Sequence, residues 1–306
     1  MKIEKKLILS GVLLLLTIIA LVIFIRNDKH NQTPHITDNT DNSVNISDIP
    51  SIPVTISPTF PMPGLSSDNV DNFNLDYDYP PTKQAKNTVR IPILMYHHIS
   101  TATHAATDNN WYISPEIFEM QLQYLHLKNY KSLTISEFYN FIQKGVNPTQ
   151  KSVLLTFDDG LDDQYQNAYP LLKKYGFTGV FNIIVNKSGI TNIELKQMDS
   201  DGMDIEPHGM NHLDLRYIYN EKKISAEVGA SRDAIQKITG EDVVAYTYPF
   251  CAWNGTVVSY LQKSKFELAF SCDKGIDHAY KDRFVLHRIR PEDDFIEFEK
   301  QLSGIW

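Results

Sequence analysis

From Val89 to Trp306 short apolar runs alternate with amphipathic helical stretches, and this alternation restricts the fold more than any other feature of the chain. A strand, a helix and a second strand in succession return the chain in the same direction, which builds a parallel sheet covered by helices. The strand candidates are Val89–Tyr96, Ser152–Phe157, Thr178–Val185, Met203–Glu206, Val243–Tyr248, Glu267–Ser271 and Arg283–Ile289. They are short and rich in Val, Ile, Phe and Tyr. The helices carry their own start signals. Ser114-Pro115 sets an N-cap before proline at the first helical position. Thr134-Ile135-Ser136-Glu137 reads as a capping box. Asn220 precedes a stripe of Ile224, Val228, Ile235 and Ile238 that Gly240 closes. The expected fold class is therefore α/β. A distorted (β/α) barrel of about seven strands suits this size better than an open sheet, while the pattern by itself accommodates both; in such barrels chemistry sits at the C-terminal strand ends.

Two other regions precede this domain. Leu7 to Ile25 is a run of 19 residues without a charge, after Met1–Lys6 with three lysines and one glutamate. That length spans a hydrocarbon core of about 30 Å. The basic flank places the N-terminus in the cytoplasm. A cleaved signal peptide is the rival reading, but the run ends in bulky Ile23, Phe24 and Ile25 rather than in a small-x-small site. Residues 1–26 are thus expected to be a single-pass membrane anchor, with the remainder outside the cytoplasm. Residues 27–88 hold eight of the 15 prolines, and eight aspartates against three lysines, with no lasting period. Proline-rich, like-charged chain is extended and solvated, and a coil of this length spans about 45 Å. The expected role is a disordered spacer, with a small β-rich module around Ile46–Phe60 as the alternative. The net charge of -8 argues against tracking nucleic acid. The two cysteines, Cys251 and Cys272, cannot build a four-cysteine metal site; they either pair or stay as small apolar residues.

The chemistry-bearing motifs fall at strand ends. Thr156-Phe157-Asp158-Asp159-Gly160 follows the apolar run Val153-Leu154-Leu155. Neighbouring strand residues point to opposite sides, but a turn eased by Gly160 brings both carboxylates to one cavity. Two ionised carboxylates in one cavity repel unless a cation sits beside one, so the pair suggests one metal ligand and one free base. An Asp-Gly turn with two solvated acids is the plainer reading of this motif alone. His208-Gly209-Met210-Asn211-His212 sets two histidines four apart, the spacing of a pair that binds one metal. No glutamate lies between them, so a separate carboxylate must act as base. Two histidines and an aspartate leave positions open for water and substrate.

Taken in order, Thr156–Gly160, the strand–helix alternation and His208-x-x-x-His212 resemble the polysaccharide deacetylases, the family-four carbohydrate esterases. Ile91–Ile99, with its Leu94-Met95-Tyr96-His97, resembles the opening of the poly-N-acetylglucosamine deacetylase branch. Asp158–Asp163 followed by Asn167–Phe177 is similar to that family's first helix. The resemblance covers residues 89–306. It implies that Asp159, His208 and His212 hold a divalent metal, zinc first, with cobalt or nickel as alternatives, and that Asp158 is the general base. The family's third motif corresponds to Thr247-Tyr248-Pro249-Phe250, which places Tyr248 and Phe250 at the substrate, with the Phe250 N–H as oxyanion donor. The arginine that steadies the base is missing there, where Thr247 stands, and Arg288 or Arg290 is the candidate replacement. The last motif is blurred: the general acid is His287, in Val285-Leu286-His287, or His97.

The resemblance implies hydrolysis of N-acetyl groups from an N-acetylglucosamine polymer, an exopolysaccharide of the biofilm matrix or peptidoglycan of the cell wall, with release of acetate. An O-acetyl polysaccharide esterase on the same scaffold and a non-catalytic glycan-binding protein are the alternatives.

Overall fold

The computed structural model describes residues 87–101 and 111–306. The expected anchor, and all but the last two residues of the expected spacer, lie outside the described residues. Among the described residues no helix is long and apolar enough to cross a membrane.

Eleven strands occur among these residues: β1 (Thr88–Arg90), β2 (Ile93–Tyr96), β3 (His98–Ile99), β4 (Tyr112–Ile113), β5 (Lys131–Ser132), β6 (Ser152–Asp159), β7 (Val180–Ile183), β8 (Asp204–Pro207), β9 (Ala245–Thr247), β10 (Leu268–Phe270) and β11 (Asp277–Ala279). The expected first strand is split because Pro92 has no N–H for a ladder, so β1 pairs antiparallel with β11 while β2 enters the main sheet. That sheet is parallel in the order β2-β6-β7-β8, with β5 on the lower part of β6. Its register sets Asp158 opposite Asn182, and Asn182 opposite Glu206. β9 and β10 form a second parallel pair.

Residues 283–289, expected to be a strand, form only isolated bridges. Leu286 bridges Phe270 and Ile289 bridges Leu94. The segment still bonds on both sides, from Leu286 N to Ala269 O at 2.9 Å and from Ile289 N to Ile93 O at 2.8 Å. Between them Arg288 N turns away to Asp273 O, which interrupts the ladder. No ladder joins β8 to β9 either. There the buried Glu206 carboxylate accepts from Ala245 N at 3.1 Å. The ladders therefore do not run on into a closed barrel.

The helices are α1 (Pro115–Leu127), α2 (Ile135–Lys144), α3 (Tyr169–Tyr175), α4 (Asn192–Ser200), α5 (Glu221–Ile224), α6 (Ala230–Thr239), α7 (Gly255–Lys263) and α8 (Phe295–Leu302). The expected caps are in place. Ser114 accepts from Ile117 N, Thr134 and Glu137 form a reciprocal capping box, and Asn220 accepts from Lys223 N. The helix expected after Asn220 is not continuous. A π-helical turn, Ser225–Gly229, separates α5 from α6. A second π turn, Gln164–Ala168, leads into α3.

β6 shows how the sheet aims the site. Val153, Leu155 and Phe157 pack with helix residues Phe118, Leu122 and Leu172 in one apolar cluster. Leu154 belongs to another cluster, with Ile93, Val180, Leu268 and Leu286. The period of two then places Thr156 and Asp158 on the Leu154 side, rising towards the C-terminal strand ends.

Candidate metal and catalytic centre

Asp158 is the last inward-facing residue of β6 and is 2% exposed. Its Oδ1 accepts from Asn182 Nδ2 at 2.7 Å and from Arg288 Nη1 at 2.8 Å, and its Oδ2 accepts from Arg288 Nη2 at 2.7 Å. Arg288 is itself buried and donates its Nε–H to Ser271 O. Burial alone would push the Asp158 carboxyl up; the charge and hydrogen bonds of Arg288 outweigh it and hold the group well below the usual carboxylate range. A buried carboxylate that stays ionised and is gripped in one orientation results. Thr247 stands where the expected arginine is missing, and the guanidinium arrives instead from a segment 130 residues away from Asp158.

Asp159 adopts φ 80 and Gly160 φ 70, so the chain leaves the strand in a left-handed turn. The Asp159 carboxylate thereby meets the histidines. Its Oδ1 lies 3.5 Å from His208 Nε2 and 3.5 Å from His212 Nε2. The three ligand atoms lie within 4.8 Å of one another. Ligands about 2.0–2.2 Å from a tetrahedral ion are separated by about 3.3–3.6 Å, so the two Asp159–histidine spacings suit donors to one divalent ion. The donor chemistry agrees. His208 Nδ1 bonds Thr247 O at 2.8 Å, which leaves Nε2 as the free donor to a metal. Burial pulls His208 down to about 4, and burial followed by Lys187 lowers His212, so both rings are neutral and ready to ligate. Burial and the neighbouring Asp158 charge raise Asp159 to about 6. Its Oδ1 is buried without a hydrogen-bond partner, as expected of an atom whose partner is a cation.

His97 follows β2 and places Nε2 3.9 Å from Asp158 Oδ2, near but not hydrogen-bonded. Its ring meets the edge of Trp111 at 4.1 Å, and the Arg290 guanidinium covers Trp111 at 4.1 Å. Burial pulls His97 down to about 3, against the pull of Asp158. His287 lies elsewhere. It packs onto Gly275, 6.2 Å from His278, whose strand β11 pairs with β1 before the start of β2. Its neighbour Arg288 turns to Asp158 while the His287 ring packs there, so of the two candidate acids only His97 stands at the centre.

Phe250 is 58% exposed, at φ 55, with its ring 4.3 Å from that of His212. Tyr248, expected beside it at the substrate, is corrected by the structure. Its side chain is buried and donates its hydroxyl to Phe284 O, because it points into the core between Tyr246 and Trp253. Cys251 and Cys272 form a disulfide with Cα atoms 5.4 Å apart, which ties the Phe250 turn to the strand end beside Arg288.

Two supporting residues were not singled out in the sequence. Asn182 is a polar residue in the apolar run of β7, and that mismatch was a readable signal. Gln164, on the π turn Gln164–Ala168, donates to both His97 O and Asp158 O and so joins the ends of β2 and β6. Nothing in its local sequence marks it.

Comparisons with known proteins find polysaccharide deacetylases. The polysaccharide deacetylase family model matches residues 145–269. YxkH of Bacillus subtilis (strain 168), a candidate polysaccharide deacetylase, is 30% identical over 211 residues, 68% of this chain and 73% of that protein. A poly-beta-1,6-N-acetyl-D-glucosamine N-deacetylase of Staphylococcus aureus (strain MRSA252) is 26% identical over 247 residues, covering 72% of this chain and 85% of that protein. Among solved structures, the Streptococcus pyogenes deacetylase PplD in complex with acetate superposes with a TM-score of 0.65 at 30% identity, over 70% of this chain and 97% of that one. IcaB from Ammonifex degensii shares the fold, with a TM-score of 0.59 at 19% identity over 70% of this chain and 96% of that one.

Proposed function

This chain belongs to the polysaccharide deacetylase family and is a deacetylase hydrolase, and from that premise we propose that it removes N-acetyl groups from an extracellular β-1,6-linked N-acetylglucosamine polymer in a metal-dependent reaction. The observation that carries the reading is the ionised Asp158, gripped by Arg288, directly beside the Asp159–His208–His212 cluster. The resemblance to the Staphylococcus aureus N-deacetylase across most of that protein's length favours the exopolysaccharide over peptidoglycan. Residues 1–26 would anchor the enzyme in the cell membrane, with residues 27–88 as the tether. The sheet reads as a distorted barrel of about seven strands. This is supported by the bridges of residues 286–289 to β10 and β2 and by the Glu206 side chain at the β8–β9 seam.

Asp159, His208 and His212 would hold the divalent ion. Zinc fits the donors best, and cobalt or nickel would be tolerated. Such an ion, when bound, polarises a carbonyl and acidifies a water. Asp158 takes the proton of the attacking water; Arg288 and Asn182 keep its carboxylate ionised and aimed. The Phe250 N–H donates to the oxygen on which negative charge develops. The two N–H groups that follow it are already committed, Cys251 to Tyr248 O and Ala252 to Pro249 O. The departing sugar nitrogen needs a proton, since an amide anion is too poor a leaving group. His97 is neutral at rest, so it must gain that proton within the turnover; Asp158 lies 3.9 Å away, beyond direct hydrogen-bond reach, and would relay it through one intervening water. Acetate and a free amine leave.

The test is acetate release by the full-length protein from β-1,6- and β-1,4-linked N-acetylglucosamine oligomers and from peptidoglycan, with zinc, with cobalt and with chelator. Chelator-sensitive release, fastest on the β-1,6 oligomer, is the expected result. Absence of release with metal bound would overturn the proposal.

A further inference from the structure

Resting on the metal-centre reading above, we propose that Glu227 is a positioning residue: its buried carboxylate fastens the loop Gly209–Leu213 so that His212 is held in the geometry that ligates metal.

His212 sits at φ 62, a left-handed conformation that a non-glycine residue keeps only when its surroundings over-determine it. The restraint comes from both sides of it. Glu227 Oε1 accepts from Asn211 N at 2.8 Å and from Leu213 N at 3.3 Å, the residues before and after His212. Oε2 accepts from Asn211 Nδ2 at 2.9 Å. The Glu227 carbonyl accepts from Met210 N at 3.1 Å. One residue thus holds three positions of the loop, Met210, Asn211 and Leu213, on both sides of His212. Glu227 is 2% exposed.

The local fold is arranged for this contact. Glu227 is the middle residue of the π turn Ser225–Gly229. An extra residue in a helical turn re-aims the side chains that follow, and such turns recur at functional sites. The glycine between the two ligand histidines belongs to the same arrangement. Gly209 has φ 86, and a Cβ there would stand 2.7 Å from Glu227 Oε1. Any side chain at 209 would displace the carboxylate from the two N–H groups it holds. The His-Gly-x-x-His spelling and Glu227, 18 residues after Gly209, are therefore one device. Outer-shell groups that orient ligands change metal affinity by about 10–100-fold when removed.

The experiment measures zinc affinity by competition with a chromophoric chelator, and the visible spectrum of the cobalt-loaded full-length protein, for wild type, Glu227→Ala, Glu227→Gln and Gly209→Ala. Metal affinity should fall at least tenfold in Glu227→Ala and Gly209→Ala, and less in Glu227→Gln, which keeps one oxygen for the two N–H groups. The cobalt spectrum should broaden in the same order while KM for substrate at saturating metal stays near wild type. Should Glu227→Ala not fold, the Gln and Gly209 variants carry the test. Wild-type metal affinity in both would overturn the inference while leaving the metal centre intact. A wild-type protein that binds no zinc, or binds it equally after His208→Ala, would overturn the metal centre and this inference with it.

Discussion

Asp158 and Asp159 are adjacent in the chain, yet the two halves of the centre that they head are built on different principles. Asp158 is still within the pleat of β6 and 2% exposed, and its charge is answered by a guanidinium and an amide already in place. Asp159 is 25% exposed and past the pleat at φ 80, and its partners are two neutral imidazoles 3.5 Å away. One half is complete without a ligand, and burial there is offset by Arg288, so the carboxyl titrates low. The other half is complete only with a cation, and burial there is not offset, so the carboxyl titrates near 6. The difference teaches that strand register sets the proposed base, whereas turns and loops set the proposed metal site. A rigid sheet position suits a group that must keep one orientation, and left-handed turns suit ligands that must converge from separate strands.

The sharpest way to break this division is to neutralise one carboxylate at a time. Asp158→Asn should lower kcat by about a thousandfold or more and leave zinc content unchanged by elemental analysis. His208→Ala should lose both zinc and turnover. If Asp158→Asn retained a tenth of wild-type turnover, the base would lie elsewhere.

Removing the counter-charge tests whether the base half is held from within. Arg288→Met would leave a buried carboxylate unpaired, a change that costs about 3–5 kcal/mol. The loss should appear in urea unfolding at neutral pH, with kcat depressed in whatever remains folded. Arg288→Lys should rescue little, because a lysine cannot reproduce the two-point grip. Zinc affinity of Arg288→Lys should match wild type; a large loss there would mean that the two halves are not separable.

A milder effect is expected from the disulfide that spans the two halves. Cys251→Ala combined with Cys272→Ala opens a loop across a sequence separation of 21. That should lower stability by about 3 kcal/mol. It should also reduce kcat several-fold, since the Phe250 turn loses its tether, while zinc binding is unaffected. Unchanged kcat in a folded double variant would remove Phe250 from the chemistry.

The smallest effect belongs to Asp204 at the foot of β8, the strand that delivers His208. Burial raises it to about 6, although it accepts from Ile135 N at 2.8 Å. A carboxyl whose folded value lies above its unfolded one binds more protons folded than unfolded, so stability declines as pH rises from about 4 to 6. Asp204→Asn keeps the acceptor oxygen and removes the charge. It should flatten that decline and add about 1 kcal/mol at pH 7, with no gain at pH 4, in urea midpoints measured at both values. An equal effect at both pH values would show that the charge is not what matters.

Much of the fold and part of the centre were determined by local sequence. Ser114-Pro115, Thr134 with Glu137, and Asn220 cap helices through bonds to residues three positions away, so they read correctly from the chain alone. The inward column Leu154, Thr156, Asp158 follows from the strand period. Convergence of the two histidines with one of the paired aspartates was legible because residue types and spacing restrict metal chemistry before any fold is known, and the resemblance pointed to Asp159 as that aspartate. What needed the tertiary structure was every choice between distant alternatives. Arg288 rather than Arg290 grips the base, His97 rather than His287 stands beside it, Tyr248 turns inward, and Cys251 meets Cys272. Each depends on which way a side chain leaves its strand and which strand ends meet. Such choices are settled by packing between residues more than a hundred positions apart in the case of Asp158 and Arg288, and no local pattern encodes them.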